Sequence, residues 1–289
     1  MTIGKWAVWF SPNKIPVEET AKLAQIVEGH GYDTLWYPEA MAYEAMALGG
    51  YHLSQTSKLN VASGIANIYG RDPTAAIQGH NSLNAPYGGR YMLGLGVSHI
   101  PIVEGARGHN YGKPLSAMRT YLEAMYAAPV QITVPKRRVV LAALGPKMLA
   151  LSAEMADGAL PYNVTPEHTA RAREIVGPGK AIYVEQKICL TNDASVARDV
   201  AAEQLAMYLR LPNYRNCWLS LGFSEDELSG RGSDRFLDAM VAWGTEDAIR
   251  TRLQAHFDAG ADQVAIQPFD PAGGASPHYD ALAAFAPGT

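Results

Sequence analysis

The chain has 289 residues, 48% of them apolar and 18% charged, with a net charge of −4. That composition excludes a disordered chain and leaves no basic patch for a nucleic acid. Two cysteines, Cys189 and Cys217, are too few for a disulfide framework, and no apolar run approaches the roughly 20 residues of a membrane helix.

The opening MTIGKWAVWF lacks the charged-then-apolar layout of a signal peptide, so a cytoplasmic protein is expected. From there, short apolar runs alternate with longer helix-like ones. The spacing predicts strands over 6–10, 34–38, 60–65, 91–96, 139–143, 158–161, 182–190 and 263–268. Between them it predicts helices over 17–30, 74–84, 114–127, 146–156, 166–176, 194–210 and 246–258. Pro73 after Asp72, Pro166 after Thr165, and Thr245 before Glu246 and Asp247 are start signals, and Gly31 and Gly260 follow helix ends. The stretch 211–244 is aromatic, punctuated by glycine and too long for a turn. It reads as two or three short helices inserted before the last strand–helix unit. Strands alternating with helices, and apolar nearly throughout, imply a parallel sheet covered on both sides. Eight such units in one 289-residue domain fit a (β/α)8 TIM barrel, with a doubly wound sheet as the alternative.

In a barrel the chemistry collects just after each strand. Glu39 follows TLWYP and is a carboxylate able to bind a polar edge or move a proton. SGIANIYGRDP (63–73) leaves its strand and wanders before Pro73. LGLGVSH (93–99) begins like a dinucleotide turn, but His99 stands where the third glycine belongs, and no acid follows about 20 positions on. His99 can exchange a proton near neutral pH. In AALGPKM (142–148), Gly145 precedes a helix opening on Pro146, a geometry suited to phosphate, with Lys147 adding charge. Lys187 lies inside YVEQKICL, where alternation places it facing solvent or paired with Glu185; a buried lysine would instead be a Schiff-base candidate. No histidine or cysteine spacing suggests a metal site.

The pieces GYDTLWYPEA, ASGIANIYGRDP, RYMLGLGVSH, AALGPKMLALSAEMADGALPYNVTPEHTARARE and AGADQVAIQ, in that order, resemble the luciferase-like oxidoreductases, and within them the branch using the deazaflavin coenzyme F420. The resemblance implies a TIM barrel with its cofactor at the strand C-termini, a small-molecule substrate and a homodimer; FMN is the alternative cofactor, in a monooxygenase. It assigns Glu39 to the deazaflavin edge. Ala40 stands where many members carry a catalytic histidine, which leaves His99 as the proton donor or acceptor. A non-proline cis peptide is implied at Ser63–Gly64 or Gly64–Ile65, with Asn67 near the ring. The loop Gly96, Val97 and Ser98 and the phosphate loop Gly145, Pro146, Lys147 and Met148 complete the implied cofactor contacts. Trp9, Trp36 and residues of 211–244 are the expected aromatic roof.

Overall fold

The computed structural model describes residues 5–288. Ten strands run in chain order: β1 (Trp6–Trp9), β2 (Thr34–Tyr37), β3 (Asn60–Ser63), β4 (Ala66–Asn67), β5 (Tyr91–Gly96), β6 (Val139–Ala142), β7 (Gly158–Leu160), β8 (Ala181–Cys189), β9 (Val241–Trp243) and β10 (Gln263–Phe269). Every pairing is parallel, and β10 closes the sheet by pairing with both β1 and β8. The fold is therefore a TIM barrel of eight strands. β4 and β9 are additions. β4 resumes beside β5 after β3 breaks off, and β9 lies along the upper part of β8, from Lys187↔Val241 to Cys189↔Trp243.

The helices are α1 (Val17–Gly29), α2 (Ala45–Ser54), α3 (Pro73–Asn84), α4 (Pro114–Ala127), α5 (Pro146–Met155), α6 (Pro166–Val176), α7 (Ala194–Leu205), α8 (Pro212–Ser220), α9 (Asp234–Met240), α10 (Glu246–Asp258) and α11 (Tyr279–Ala284). The start signals act as physics requires: Asp72 accepts from the Ala75 amide and Thr245 from the Ala248 amide. Helix α2 shows no polar–apolar stripe in its sequence AMALGGYHLS, because Leu48, Gly49, His52 and Leu53 are all buried. It is held at its start by the Glu44 carboxylate, which accepts from the Ala47 amide at 2.7 Å. The helix expected over 194–210 ends at Leu205, and a 3-10 turn, Tyr208–Arg210, follows. The stretch 211–244 contains α8 and α9, as expected, and also the strand β9, whose three residues are too few to show a period.

Side chains fill the barrel: Trp36, Met92, Val140, Tyr183 and Ala265 are among those that meet inside it. The two glycines of β5 explain the break between β3 and β4. A Cβ on Gly94 would run into the Ser63 carbonyl oxygen, and one on Gly96 would lie 2.5 Å from the Ile65 side chain. Ser63 also clasps Gly94, its Oγ donating to the carbonyl at 2.9 Å and accepting from the amide at 3.0 Å. The bulge 63–65 thus leans on β5 where β5 has no side chains, and the peptide bond Gly64–Ile65 is cis.

Four histidines among the described residues, His52, His80, His168 and His256, are buried in the helical layer, and two of them, His52 and His256, carry the largest effect. His52 is 2% exposed and neither ring nitrogen has a hydrogen-bond partner among the described residues. The His256 ring sits between Thr169 Oγ1 at 2.9 Å and Gln186 Oε1 at 3.0 Å. Burial pushes their pKa values from 6.5 down to about 4 and about 3. Both rings are therefore neutral in the folded chain, and the unfolded chain binds more protons once the pH drops below about 6.5. Stability is complete above that pH and falls below it; His52 alone costs about 2 kcal/mol by pH 5. Urea unfolding at pH 7.5 and pH 5 should show this loss, and His52→Leu should restore about that amount at pH 5. A variant with the same pH dependence as the parent would rule His52 out as its source.

Candidate active site

A cavity of about 450 Å3 opens at the C-terminal ends of the barrel strands. Trp9 of β1, Pro38 and Glu39 after β2, Gly64 and Ile65 of the bulge, and Ser98 and His99 after β5 form one part of its wall. Ala142 of β6, Leu160 and Tyr162 at β7, Lys187 of β8 and Gln267 of β10 form the other. Met207, Tyr208 and Tyr214, which follow α7 or lie in α8, cover it. The roof is aromatic as expected, but Trp36 is not part of it. That ring is fully buried inside the barrel, its Nε1 donating to Gln263 Oε1 at 2.9 Å.

Glu39 is on the wall, yet its oxygens are engaged. They accept from the Asn67 amide at 2.7 Å, from the Ala45 amide at 3.2 Å and from Arg71 Nη2, with side-chain exposures of 8% for Arg71 and 3% for Glu39. Arg71 also reaches Glu44 at 2.5 Å. Three segments meet on this one carboxylate, which acts as a fastening. Nothing in the sequence connects Arg71 to Glu39, 32 residues away.

The bulge is fixed from both sides. Trp9 Nε1 donates to the Gly64 carbonyl at 3.0 Å, and the Glu39 amide donates to the Ile65 carbonyl at 3.0 Å. Ser98 has φ +55°, a left-handed turn that sets His99 on the cavity wall, and its carbonyl accepts from the Tyr111 hydroxyl at 3.1 Å. Burial lowers the His99 pKa, so the ring is neutral at physiological pH.

Glu39, Gly64, Ile65, Ser98 and His99 share the cavity. Other candidates stand away from its wall. Ser63 binds β5, Asn67 turns its Oδ1 to the Tyr69 amide at 2.9 Å, Val97 packs into an apolar cluster, and Gly96 makes room for Ile65. Gly145, Pro146 and Lys147 are exposed at the barrel mouth, and Met148 is half-buried behind them. The first turn of α5 has no side-chain cap, and the space where a Gly145 side chain would project is open.

Lys187 does not face solvent. It is 1% exposed, as is Glu185, and both point into the barrel. Its Nζ donates to Asn163 Oδ1 at 2.5 Å and to the two Glu185 oxygens at 3.3 and 3.4 Å, and lies 3.9 Å from the Tyr162 ring centre. Burial lowers the lysine pKa, and Glu185 partly offsets the effect. Of the two expectations, solvent or a pairing with Glu185, the second holds; the solvent-facing one fails because in a closed barrel both strand faces are covered. Two further polar atoms matter, one on Asn13, a residue placed just after β1, and one on Arg107, which no sequence signal marks. Asn13 Oδ1 and Arg107 Nε are buried without a hydrogen-bond partner among the described residues. Asn13 lines the cavity, and Arg107 lies beside Gly70 and Glu39. No cluster of metal-ligating side chains occurs among the described residues, and no helix among them is long and apolar enough to cross a membrane.

A family model described as luciferase-like monooxygenase matches residues 4–263. A putative coenzyme F420-dependent oxidoreductase of Mycobacterium tuberculosis is 27% identical, over 87% of this chain and 91% of its own. The coenzyme F420 dependent tetrahydromethanopterin reductase from Methanopyrus kandleri superposes with a TM-score of 0.73 at 17% identity, covering 99% of this chain and 98% of its own. The oxygenating constituent of 3,6-diketocamphane monooxygenase from Pseudomonas putida, a type II Baeyer-Villiger monooxygenase solved with FMN, gives 0.70 at 15% identity, covering 98% and 96%. The two structural likenesses bear on the fold alone.

Removing Arg71 would leave the buried Glu39 without its counter-charge, a loss that costs about 3–5 kcal/mol in comparable pairs. Arg71→Met should lower the denaturant midpoint accordingly, and a midpoint within 0.5 kcal/mol of the parent, about the scale of a neutral surface change, would show that the fastening carries no load.

Proposed function

Because the chain belongs to the luciferase-like monooxygenase family, we propose that it is a coenzyme F420-dependent oxidoreductase that moves a hydride between the deazaflavin and a small organic molecule. The observation that carries this reading is that the bulge Gly64–Ile65 and the neutral His99 ring border one cavity. The relative named as a putative F420-dependent oxidoreductase, matched along most of both chains, supports it.

The residues present fit such a cofactor. Asn13 Oδ1 is a buried acceptor on the wall, free to receive a ring N–H. Arg107 Nε is a buried donor suited to an anionic tail. The uncapped start of α5, with Gly145 open and Lys147 exposed, suits a phosphate. Gly64 and Ile65 would back the ring, held there by Trp9 and by the Glu39 backbone. Bound deazaflavin supplies the hydride chemistry.

Within this reading the chain's own groups have separate tasks. Glu39 holds the Asn67 and Ala45 backbones, and so the shape of the ring pocket, without itself moving a proton. His99 gives or takes the proton that accompanies the hydride, and burial favours its neutral, proton-accepting form while weakening it as a base. Tyr162, Tyr208 and Tyr214 exclude water; burial raises all three phenol pKa values, so they stay protonated.

An FMN-dependent monooxygenase is the second reading, in keeping with the description of the family to which the chain belongs. Fluorescence titration of the purified chain with each cofactor separates the two. Deazaflavin binding with weak or absent FMN binding is expected, and tight FMN binding alone would overturn the first reading. His99→Ala should lower turnover at least 10-fold, in line with the ~10²–10⁴ typical of acid–base groups, while cofactor affinity stays nearly constant. Unchanged turnover would remove His99 from the reaction.

A further inference from the structure

The Lys187–Glu185 pair has no structural need to exist. A buried ion pair gives a fold little that apolar side chains of similar size would not. Both members are 1% exposed, and Lys187 borders the cavity while Glu185 sits one step deeper along the same inward face of β8. Of the three ammonium protons, one goes to Asn163 Oδ1 at 2.5 Å and one is shared between the two Glu185 oxygens at 3.3 and 3.4 Å. No further oxygen acceptor meets Nζ among the described residues, and the third N–H stands over the Tyr162 ring, which itself lines the cavity. Asn163, which positions Lys187, keeps a buried Nδ2 behind the wall without a partner among the described residues and is held in a left-handed turn, φ +58°, with its carbonyl accepting from Trp218 Nε1 at 3.0 Å.

The charges of the wall then define what this donor can take. Glu185 already balances Lys187, and Arg71 balances Glu39. His99 is neutral, and the remaining cation, Lys14, is exposed at the rim. A carboxylate or phosphate beside Lys187 would be a buried charge without compensation, whereas a neutral oxygen would simply complete the set of hydrogen bonds. We propose that Lys187, held by Glu185 and Asn163, is the donor that grips the substrate oxygen, and that the substrate is a neutral carbonyl compound, an aldehyde, ketone or enone, seated among Tyr162, Tyr208 and Tyr214. The inference rests on the hydride-transfer reading. In reduction, hydride adds to the carbon, the C=O or C=C π bond breaks, the electron pair moves onto the oxygen held by Lys187, and a proton drawn from solvent and passed on by His99 completes the product; the deazaflavin would be the two-electron reductant.

The test reads binding as well as reaction. The probe is 2-cyclohexen-1-one carrying 13C at the carbonyl, with cyclohex-1-ene-1-carboxylate as its anionic counterpart. Each is added to the full chain as purified and again after addition of deazaflavin. The carbonyl stretch of bound enone, read by infrared difference spectroscopy, should move to lower frequency than in water for the parent and lose that shift in Lys187→Met. Affinity for the enone should fall at least 10-fold in the variant, and the carboxylate should bind the parent at least 10-fold more weakly than the enone. Lys187→Met leaves Glu185 alone, so the double variant Lys187→Met with Glu185→Leu, which buries no unpaired charge, must show the same loss while its circular dichroism stays native. A carbonyl band at the same frequency in the parent and a folded variant, equal affinity for the carboxylate, or no bound enone in the parent would each overturn the proposal. A band shift that persists in a chain unable to bind deazaflavin would instead overturn the cofactor reading and leave the Lys187 contact standing.

Discussion

The carboxylate of Glu39 ties the segment after β2 to the segment after β3. Its oxygens hold the Asn67 and Ala45 amides and the Arg71 guanidinium, so the start of α2, the strand β4 and the approach to α3 share one buried anchor. A charge removed from water persists only where partners replace the lost hydration, and here those partners come from three different segments. The shape of the cavity follows from that arrangement. β4 is fixed beside β5, the bulge 63–65 is fixed between them, and the glycines of β5 leave the volume that Ser63 and Ile65 occupy. A sharp turn at Ser98 then delivers His99 to the border of the same space.

Electrical neutrality is the second constraint. Glu39 with Arg71, and Glu185 with Lys187, are two compensated pairs on the wall of a largely apolar pocket. They differ in how fully their hydrogen bonds are spent. The Glu39 pair is saturated by backbone amides and serves shape. The Glu185 pair makes long, divided contacts, leaves one ammonium proton directed at an aromatic face, and so retains the capacity to bind something else.

The eight strands of the barrel were legible because buried parallel strands are apolar along their whole length, and a run such as YMLGLG has no other stable use. The bulge and its cis bond were legible only through resemblance, since no local pattern in ASGIAN encodes them. The glycines of LGLGVSH begin like a dinucleotide turn, but Gly94 and Gly96 have an internal reason: they admit Ser63 and Ile65, which lie some 30 residues away in sequence. The pairing of Lys187 with Glu185 was among the expectations, but its burial was not, for a related reason. Period two tells which residues share a face, and not whether that face meets water, so a strand buried on both sides can carry a lysine and a glutamate inward. Arg71 and Arg107 could not be found at all, because their importance lies in partners, or missing partners, that only the closed barrel brings near.

The cavity divides along the same line as the chain. The segments that follow the early strands, through His99, contribute Asn13 and also the bulge and Glu39, the latter two fixed by backbone hydrogen bonds and close packing. The later strands and the segment after α7 contribute Tyr162, Lys187, Met207, Tyr208 and Tyr214, side chains that touch one another more than they touch backbone. Tyr208 and Tyr214 stand on a 3-10 turn and on α8, outside the barrel ladder, so substitutions there can reshape the pocket without disturbing strand register. A site built this way can separate two demands: under the proposed reading the half fixed by backbone would hold the cofactor ring, and the side-chain half would discriminate between small molecules. Lys187 belongs to neither arrangement entirely. It is anchored on a ladder strand yet presents its donor among the aromatic side chains, which makes it the fixed polar point against which the adaptable half orients what it binds.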